Sequence, residues 1–210
     1  MRTLIRNATV VNADATIDAD VLIDGERIVE VAPAIRTPCD RVLDASDRLV
    51  IPGGIDAHTH LDMRLSDEVT TSDDFATGTI AAAIGGTTCI IDYAAQSRGG
   101  SLSAALDEWR SRAEGRAAID YGFHMSMCDL SGDALPEMAA MVEQGVTSFK
   151  LFMAYPGRLM LEDAEIARVM RRAADLGALV CLHAEDGHAI EALVRAARER
   201  GDVVPRVHAS

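Results

Sequence analysis

From Leu49 onward, short apolar runs of β character alternate with longer segments of helical period, and the runs start near Leu49, Thr87, Ala118, Ser148 and Ala178, at spacings of 38, 31, 30 and 30 residues. Nothing else in the chain constrains the fold as much, because a strand followed by a helix at that period builds a parallel sheet. Thr87-Thr88-Cys89-Ile90-Ile91-Asp92-Tyr93 and Ala178-Leu179-Val180-Cys181-Leu182 are near-continuous apolar runs, as strands covered on both faces require. Between the runs, Leu102, Ala105, Leu106 and Trp109 fall at i, i+3, i+4 and i+7. The same pattern recurs in Leu135, Met138, Ala139 and Val142, in Ile166, Val169, Met170 and Ala173, and in Ile190, Leu193, Val194 and Ala197. Each stripe is expected to pack its helix on the sheet, with the Glu, Asp and Arg of the opposite face in solvent. Gly85-Gly86, Gly145 and Gly177 stand where helices should end before the next strand.

The first part of the chain reads differently. Alternating runs at Thr9-Val10-Val11, Asp20-Val21-Leu22-Ile23 and Arg27-Ile28-Val29-Glu30-Val31 predict a small β unit, and Asp24-Gly25 predicts a hairpin turn between the last two. Pro33 and Pro38 interrupt the pattern before a short strand at Arg41-Val42-Leu43-Asp44. The expected division is therefore a β portion over 1–50 and a βα portion over 51–210. Five strands at this period suit either a doubly wound sheet or part of a (β/α)8 barrel. No Gly-x-Gly-x-x-Gly follows the first strand, which favours the barrel.

Composition excludes some functions. A net charge of −13, with no run among the 20 basic residues, argues against a nucleic-acid partner. No stretch approaches the roughly 18 apolar residues of a spanning helix, and no apolar leader follows Met1, so a cytoplasmic protein with no membrane partner is expected. Cys39, Cys89, Cys128 and Cys181 are far apart and are expected to be free core thiols.

Chemistry enters at Ile55-Asp56-Ala57-His58-Thr59-His60. Residues two apart on an extended strand project to one side, so His58 and His60 are spaced to share one metal ion, although ordinary hydrogen-bonding histidines also fit the pair. In a barrel, functional groups gather at the carboxyl ends of the strands. Later strands there end in Ser148-Phe149-Lys150 and in Leu182-His183-Ala184-Glu185. An ammonium ion in so apolar a strand must reach solvent, find a carboxylate or lose its charge.

Taken together, these motifs resemble the dihydropyrimidinase and hydantoinase family of the amidohydrolase superfamily. The carrying residues are Pro52-Gly53-Gly54-Ile55-Asp56-Ala57-His58-Thr59-His60-Leu61-Asp62-Met63, Ser72-Asp73-Asp74-Phe75, Gly78-Thr79 and Gly85-Gly86-Thr87-Thr88, followed by Ser148-Phe149-Lys150-Leu151-Phe152-Met153-Ala154-Tyr155 and His183-Ala184-Glu185. The resemblance runs the length of the chain. It implies an α/β fold, a (β/α)8 TIM barrel of amidohydrolase type with about five of eight strands here, joined to part of a β-sandwich domain. It assigns His58 and His60 to one divalent metal and His183 to a second, most simply zinc, with manganese or cobalt as alternatives. Lys150 would bridge the two as N6-carboxylysine after taking up carbon dioxide, and Tyr155 would bind substrate and donate to the carbonyl oxygen as it becomes an oxyanion. The implied reaction is the opening of cyclic imides or amides, such as hydantoins and 5,6-dihydropyrimidines, to N-carbamoyl amino acids by a metal-activated hydroxide, as in pyrimidine degradation. A homo-oligomer, dimer or tetramer, is implied for the full-length enzyme.

The chain departs from that family in length. A histidine from the sixth strand and an aspartate from the eighth have no counterpart, since His188 and His208 read as surface residues and His124 as a packing or supporting one. The expectation is an amino-terminal portion of a longer enzyme, inactive and poorly soluble alone, whose sheet has open edges. Dihydroorotase and allantoinase are the near alternatives. Asp62, where dihydroorotases carry an arginine, and the Tyr155 motif weigh against them, although Arg64 lies close by. A non-catalytic scaffold of the same fold is the alternative of a different class. Substrate preference is expected to lie in the loops 63–71, 94–101 and 155–161.

Overall fold

The computed structural model describes residues 1–65 and 68–209, with the side chains of His208 and Ala209 outside the description. Ser66 and Asp67, within the expected 63–71 loop, and the side chain expected of a surface His208 therefore lie outside the described residues. The chain divides into two compact units, Met1–Gly54 and Ile55–Ser210.

The first unit is a mixed sheet of β1 (Arg2–Val11), β2 (Thr16–Asp24), β3 (Arg27–Ala32), β4 (Arg41–Asp44) and β5 (Leu49–Val50). The order is β3-β2-β1-β4, with β5 pairing β1. β1, β2 and β3 are antiparallel neighbours, whereas β4 and β5 run parallel to β1. The hairpin loop sits one residue later than expected, at Gly25-Glu26, because the positive φ of 61° falls on Gly25 while Asp24 still pairs with Arg27. Leu49 opens no strand of the βα sheet. With Val50 it pairs β1, and Pro52, which has no N–H to give a ladder, separates it from the next strand.

The second unit is a sheet in the order β10-β9-β8-β7-β6, built from β6 (Gly54–Thr59), β7 (Thr87–Ala95), β8 (Asp120–Ser126), β9 (Ser148–Phe152) and β10 (Leu179–His183). β7 with β8, β8 with β9 and β9 with β10 pair in parallel, and β6 and β10 are its edge strands. Between these strands run α1 (Phe75–Ile84), α2 (Leu102–Ala113), α3 (Ala134–Glu143) and α4 (Asp163–Asp175), and α5 (Gly187–Glu199) follows β10. Asp74 caps α1, its side chain accepting from the Thr77 amide, and Ser101 caps α2 in the same way through Ala104. Gly86, Gly145 and Gly177 each take positive φ between helix and strand, where the sequence placed the stops.

The core of this unit lies between sheet and helices, where Ile90, Ala94, Phe123, Met125, Phe149 and Leu151 meet Leu102, Leu106, Trp109, Met138, Val169 and Ala173. The stripe of α2 is buried as expected. That of α3 is turned by one residue, onto Ala134, Met138 and Met141, and Met170 of α4 is exposed. The stripe of α5 is not covered, since Leu193 is 65% exposed and only Gly187 and Ala197 of this helix are buried. Helical period marks an apolar face but not whether anything packs on it.

Candidate functional site

Alternation along the strands creates the site. On β9, Phe149 and Leu151 are buried in the helix-side core, so Lys150 and Phe152 take the other face. There an open cleft of about 440 Å3 is lined by Asp56, Ala57 and His58 from β6, Tyr93 from β7, His124 from β8, Lys150 from β9, and Leu179, Cys181 and Leu182 from β10. Cys181 is the register partner of Lys150, and Tyr93 that of His124.

The structure brings His58 and His60 together, with ring centroids 5.2 Å apart and nearly perpendicular planes. Two imidazoles on one tetrahedral zinc hold their centroids about 5 Å apart, so the pair fits such an ion. Tyr93 packs against both rings, at 4.8 Å from His58 and 4.9 Å from His60, and its hydroxyl lies 3.4 Å from His58 Nδ1. Burial pushes the Tyr93 hydroxyl above its ordinary pKa. His60 still meets solvent, yet desolvation holds its imidazole below the usual range, with the Asp92 charge opposing and His58 and Lys150 adding to the effect.

His124 is buried at 7% exposure and supports the cleft. Its Nε2 lies 3.0 Å from the Ala57 carbonyl, which can only accept, so Nε2 carries the proton and Nδ1 faces the Ser148 hydroxyl. His183 stands apart from the His58, His60, Tyr93 and His124 rings. It stacks on Phe152 at 5.8 Å, lies 5.4 Å from the Tyr155 ring, and bonds Glu185 through Nε2. Lys150 links the two groups, lining the cleft with His58 while its ammonium lies 5.3 Å above the Phe152 ring. Among the described residues it has no carboxylate partner, so the ion-paired reading of Lys150 is not the one realised. Tyr155 is 45% exposed and takes φ +64°, a left-handed conformation that strains a bulky residue. His188 is exposed, as expected.

Asp62 does not confront the site as a free charge, because it lies 3.9 Å from Arg116 and its carbonyl accepts from Arg112. The electrostatic argument against an anionic substrate at that position is correspondingly weakened. Among the described residues no three His, Cys, Asp or Glu side chains converge on one point. The imidazole pair and Lys150 thus fit a divalent ion in donor chemistry once the amine becomes an acid, and fall short of a closed shell on their own.

Two features escaped sequence reasoning. Lys150 is the single lysine beside 19 arginines, a bias that itself singles out an amine. Asp92 is fully buried, a carboxylate inside the apolar run of β7, and that placement alone could have flagged it.

The site is built on a βα sheet that carries imidazoles and a lysine at its strand ends, and comparison with known proteins makes that class of protein specific. The model of the Amidohydrolase family matches residues 49–204, and the chain belongs to that family. It is 50% identical over 213 residues to a D-hydantoinase of Streptomyces coelicolor, covering 99% of this chain and 45% of that protein. It is 46% identical over 193 residues to dihydropyrimidinase 2 of Caenorhabditis elegans, covering 90% and 37% respectively. The crystal structure of dihydropyrimidinase from Brevibacillus agri superimposes with a TM-score of 0.95 at 45% identity, over 99% of this chain and 45% of that one. The chain thus spans less than half the length of the relatives it matches.

Proposed function

We propose that the full-length protein opens cyclic amide and imide rings, hydantoins and 5,6-dihydropyrimidines, to N-carbamoyl amino acids. The observation that carries this reading is the placement of Lys150, which has no carboxylate partner among the described residues, in one cleft with His58, whose ring meets that of His60, in a chain half identical to a D-hydantoinase. His58 and His60 would hold one divalent ion, His183 a second, and Lys150 both. When bound, such ions, zinc or else manganese or cobalt, lower the pKa of water and polarise a carbonyl.

The residues of this chain do the rest. The unprotonated Lys150 amine would add carbon dioxide and release a proton, which gives an anionic oxygen donor in place of an amine that has no carboxylate partner among the described residues. Tyr155, held in its strained conformation beside His183, would donate a hydrogen bond to the carbonyl oxygen as negative charge develops there. His124 and Ser148 hold the Ala57 backbone next to His58. The five-stranded sheet of the second unit forms part of an eight-stranded barrel, residues 1–50 part of a sandwich domain, and the protein is a cytoplasmic homo-oligomer in this reading.

Metal content, intact mass and turnover of the full-length protein test it. Two metals per chain, a gain of one carbon dioxide on Lys150, and hydrolysis of hydantoin and dihydrouracil are the expected results. Preference for dihydroorotate or allantoin would reassign the substrate, and absence of metal, mass gain and turnover would leave a scaffold.

A further inference from the structure

β6 ends at Thr59, so His60 stands just beyond the last residue of its strand. The chain there is held by a carboxylate instead. Asp92 Oδ2 accepts from Thr59 Oγ1 and from the Leu61 amide, both at 2.8 Å, and so brackets His60 from either side. Its Oδ1 accepts from the Tyr93 amide of its own strand at 2.8 Å and, at the longer distance of 3.2 Å, from Trp109 Nε1 of α2. Packing alone would not ask for an acid here, since Ile90 and Ala94, the residues two positions away on the same face of β7, are apolar and buried. A buried carboxylate is costly unless several donors surround it, and four do.

We propose that Asp92 is a positioning residue for metal binding: by gripping Thr59 and Leu61 on the helix side of the sheet, it forces His58 and His60 onto the cleft side and holds their rings at the separation one ion requires. The inference rests on the reading of His58 and His60 as metal ligands. It names a residue that touches neither metal nor substrate and acts through the backbone on both sides of His60. Partners of this kind that orient metal ligands commonly change affinity by ten- to a hundredfold when removed, and loss of one of two grips belongs at the lower end of that range.

The test compares two hydrogen bonds to the same carboxylate in the full-length protein stripped of metal. Thr59→Val removes a grip on the histidine arm. Trp109→Phe removes a bond at the opposite oxygen and keeps an aromatic face for Arg112, which stacks on the ring at 4.3 Å. Each variant is titrated with Co2+ and Zn2+ against a chromophoric chelator, and the visible Co2+ spectrum is recorded. Thr59→Val is expected to bind about tenfold more weakly with an altered Co2+ band, and Thr59→Ser to restore both. Trp109→Phe is expected to lower the melting temperature and leave affinity and spectrum unchanged. Thr59→Ala replaces valine if Thr59→Val does not fold. Normal affinity in Thr59→Val, or equal weakening in Trp109→Phe, overturns the inference alone. Wild-type protein that takes up neither metal overturns the metal reading and this inference with it.

Discussion

Among the described residues two carboxylates are buried, Asp20 in the first unit at 6% exposure and Asp92 in the second at 0%, and they serve different ends. Asp20 accepts from two backbone amides, Asn7 at 2.9 Å and Ile35 at 3.0 Å. Asn7, at φ +58°, sits in the irregularity of β1 between Ile5 and Ala8, where the ladder leaves its amide without a strand partner. The Ile35 and Asn7 amides hold the Asp20 carboxyl below the usual carboxylate range. Asp92 likewise serves a place where regular pairing stops, but two of its donors flank His60. The same physics, a buried acid supplying bonds that the sheet does not, maintains shape in one unit and aims side chains in the other.

The comparison can be broken by exchanging consequences. Asp92→Ala orphans four donors and is expected to cost about 3 kcal/mol or more, read as a large fall in denaturation midpoint together with lost metal uptake. Asp20→Ala orphans two amides and should cost about 1–3 kcal/mol while metal uptake per folded molecule stays at the wild-type level. Equal loss of metal in both variants would erase the distinction. Gly78→Ala sharpens it further, because a Cβ there would come within 2.5 Å of Leu61 Cδ2. The tip of a leucine can move, and alanine inside α1 gains about 1 kcal/mol over glycine, which offsets much of an overpacking cost of about 1–3 kcal/mol, so stability should change little, whereas calorimetric metal titration should register the shift of Leu61 next to His60.

The smallest effect is acid sensitivity. The folded pKa of Asp20 lies below its unfolded value, so its contribution is complete above the unfolded value and is lost as pH falls through the folded one. Asp20→Asn is therefore expected to flatten the stability curve below about pH 4, measured by urea denaturation across that range. A curve as steep as wild type would assign the acid limb to other carboxylates.

Much of this molecule is legible before folding. The βα period places β7, β9 and β10 within a residue or so, and the glycines mark the helix ends, because hydrophobic periodicity and positive φ are local properties. Leu49-Val50 was misplaced for a reason of the same kind. An apolar dipeptide before a proline carries no information about which sheet it joins, and pairing with β1 decides that. The apolar stripe of α5 shows the complementary limit, since Ile190, Leu193 and Val194 have the right period and remain exposed.

At the candidate site the division is sharper. That His58 and His60 share a face follows from two-residue spacing on a strand, and the oddity of a lysine in an apolar strand is visible in the letters alone. Which rings gather was settled only by the sheet. Tyr93 and His124 join the pair through the β7 and β8 register, while His183 keeps company with Phe152 and Tyr155. Asp92 lies 31 residues from Leu61 and 33 from Thr59 along the chain. No local pattern reports a hydrogen bond of that reach, because it exists only once parallel strands and the α2 helix have closed around the carboxylate. The sequence determined that two imidazoles would face the same way; the tertiary structure decided what holds them there.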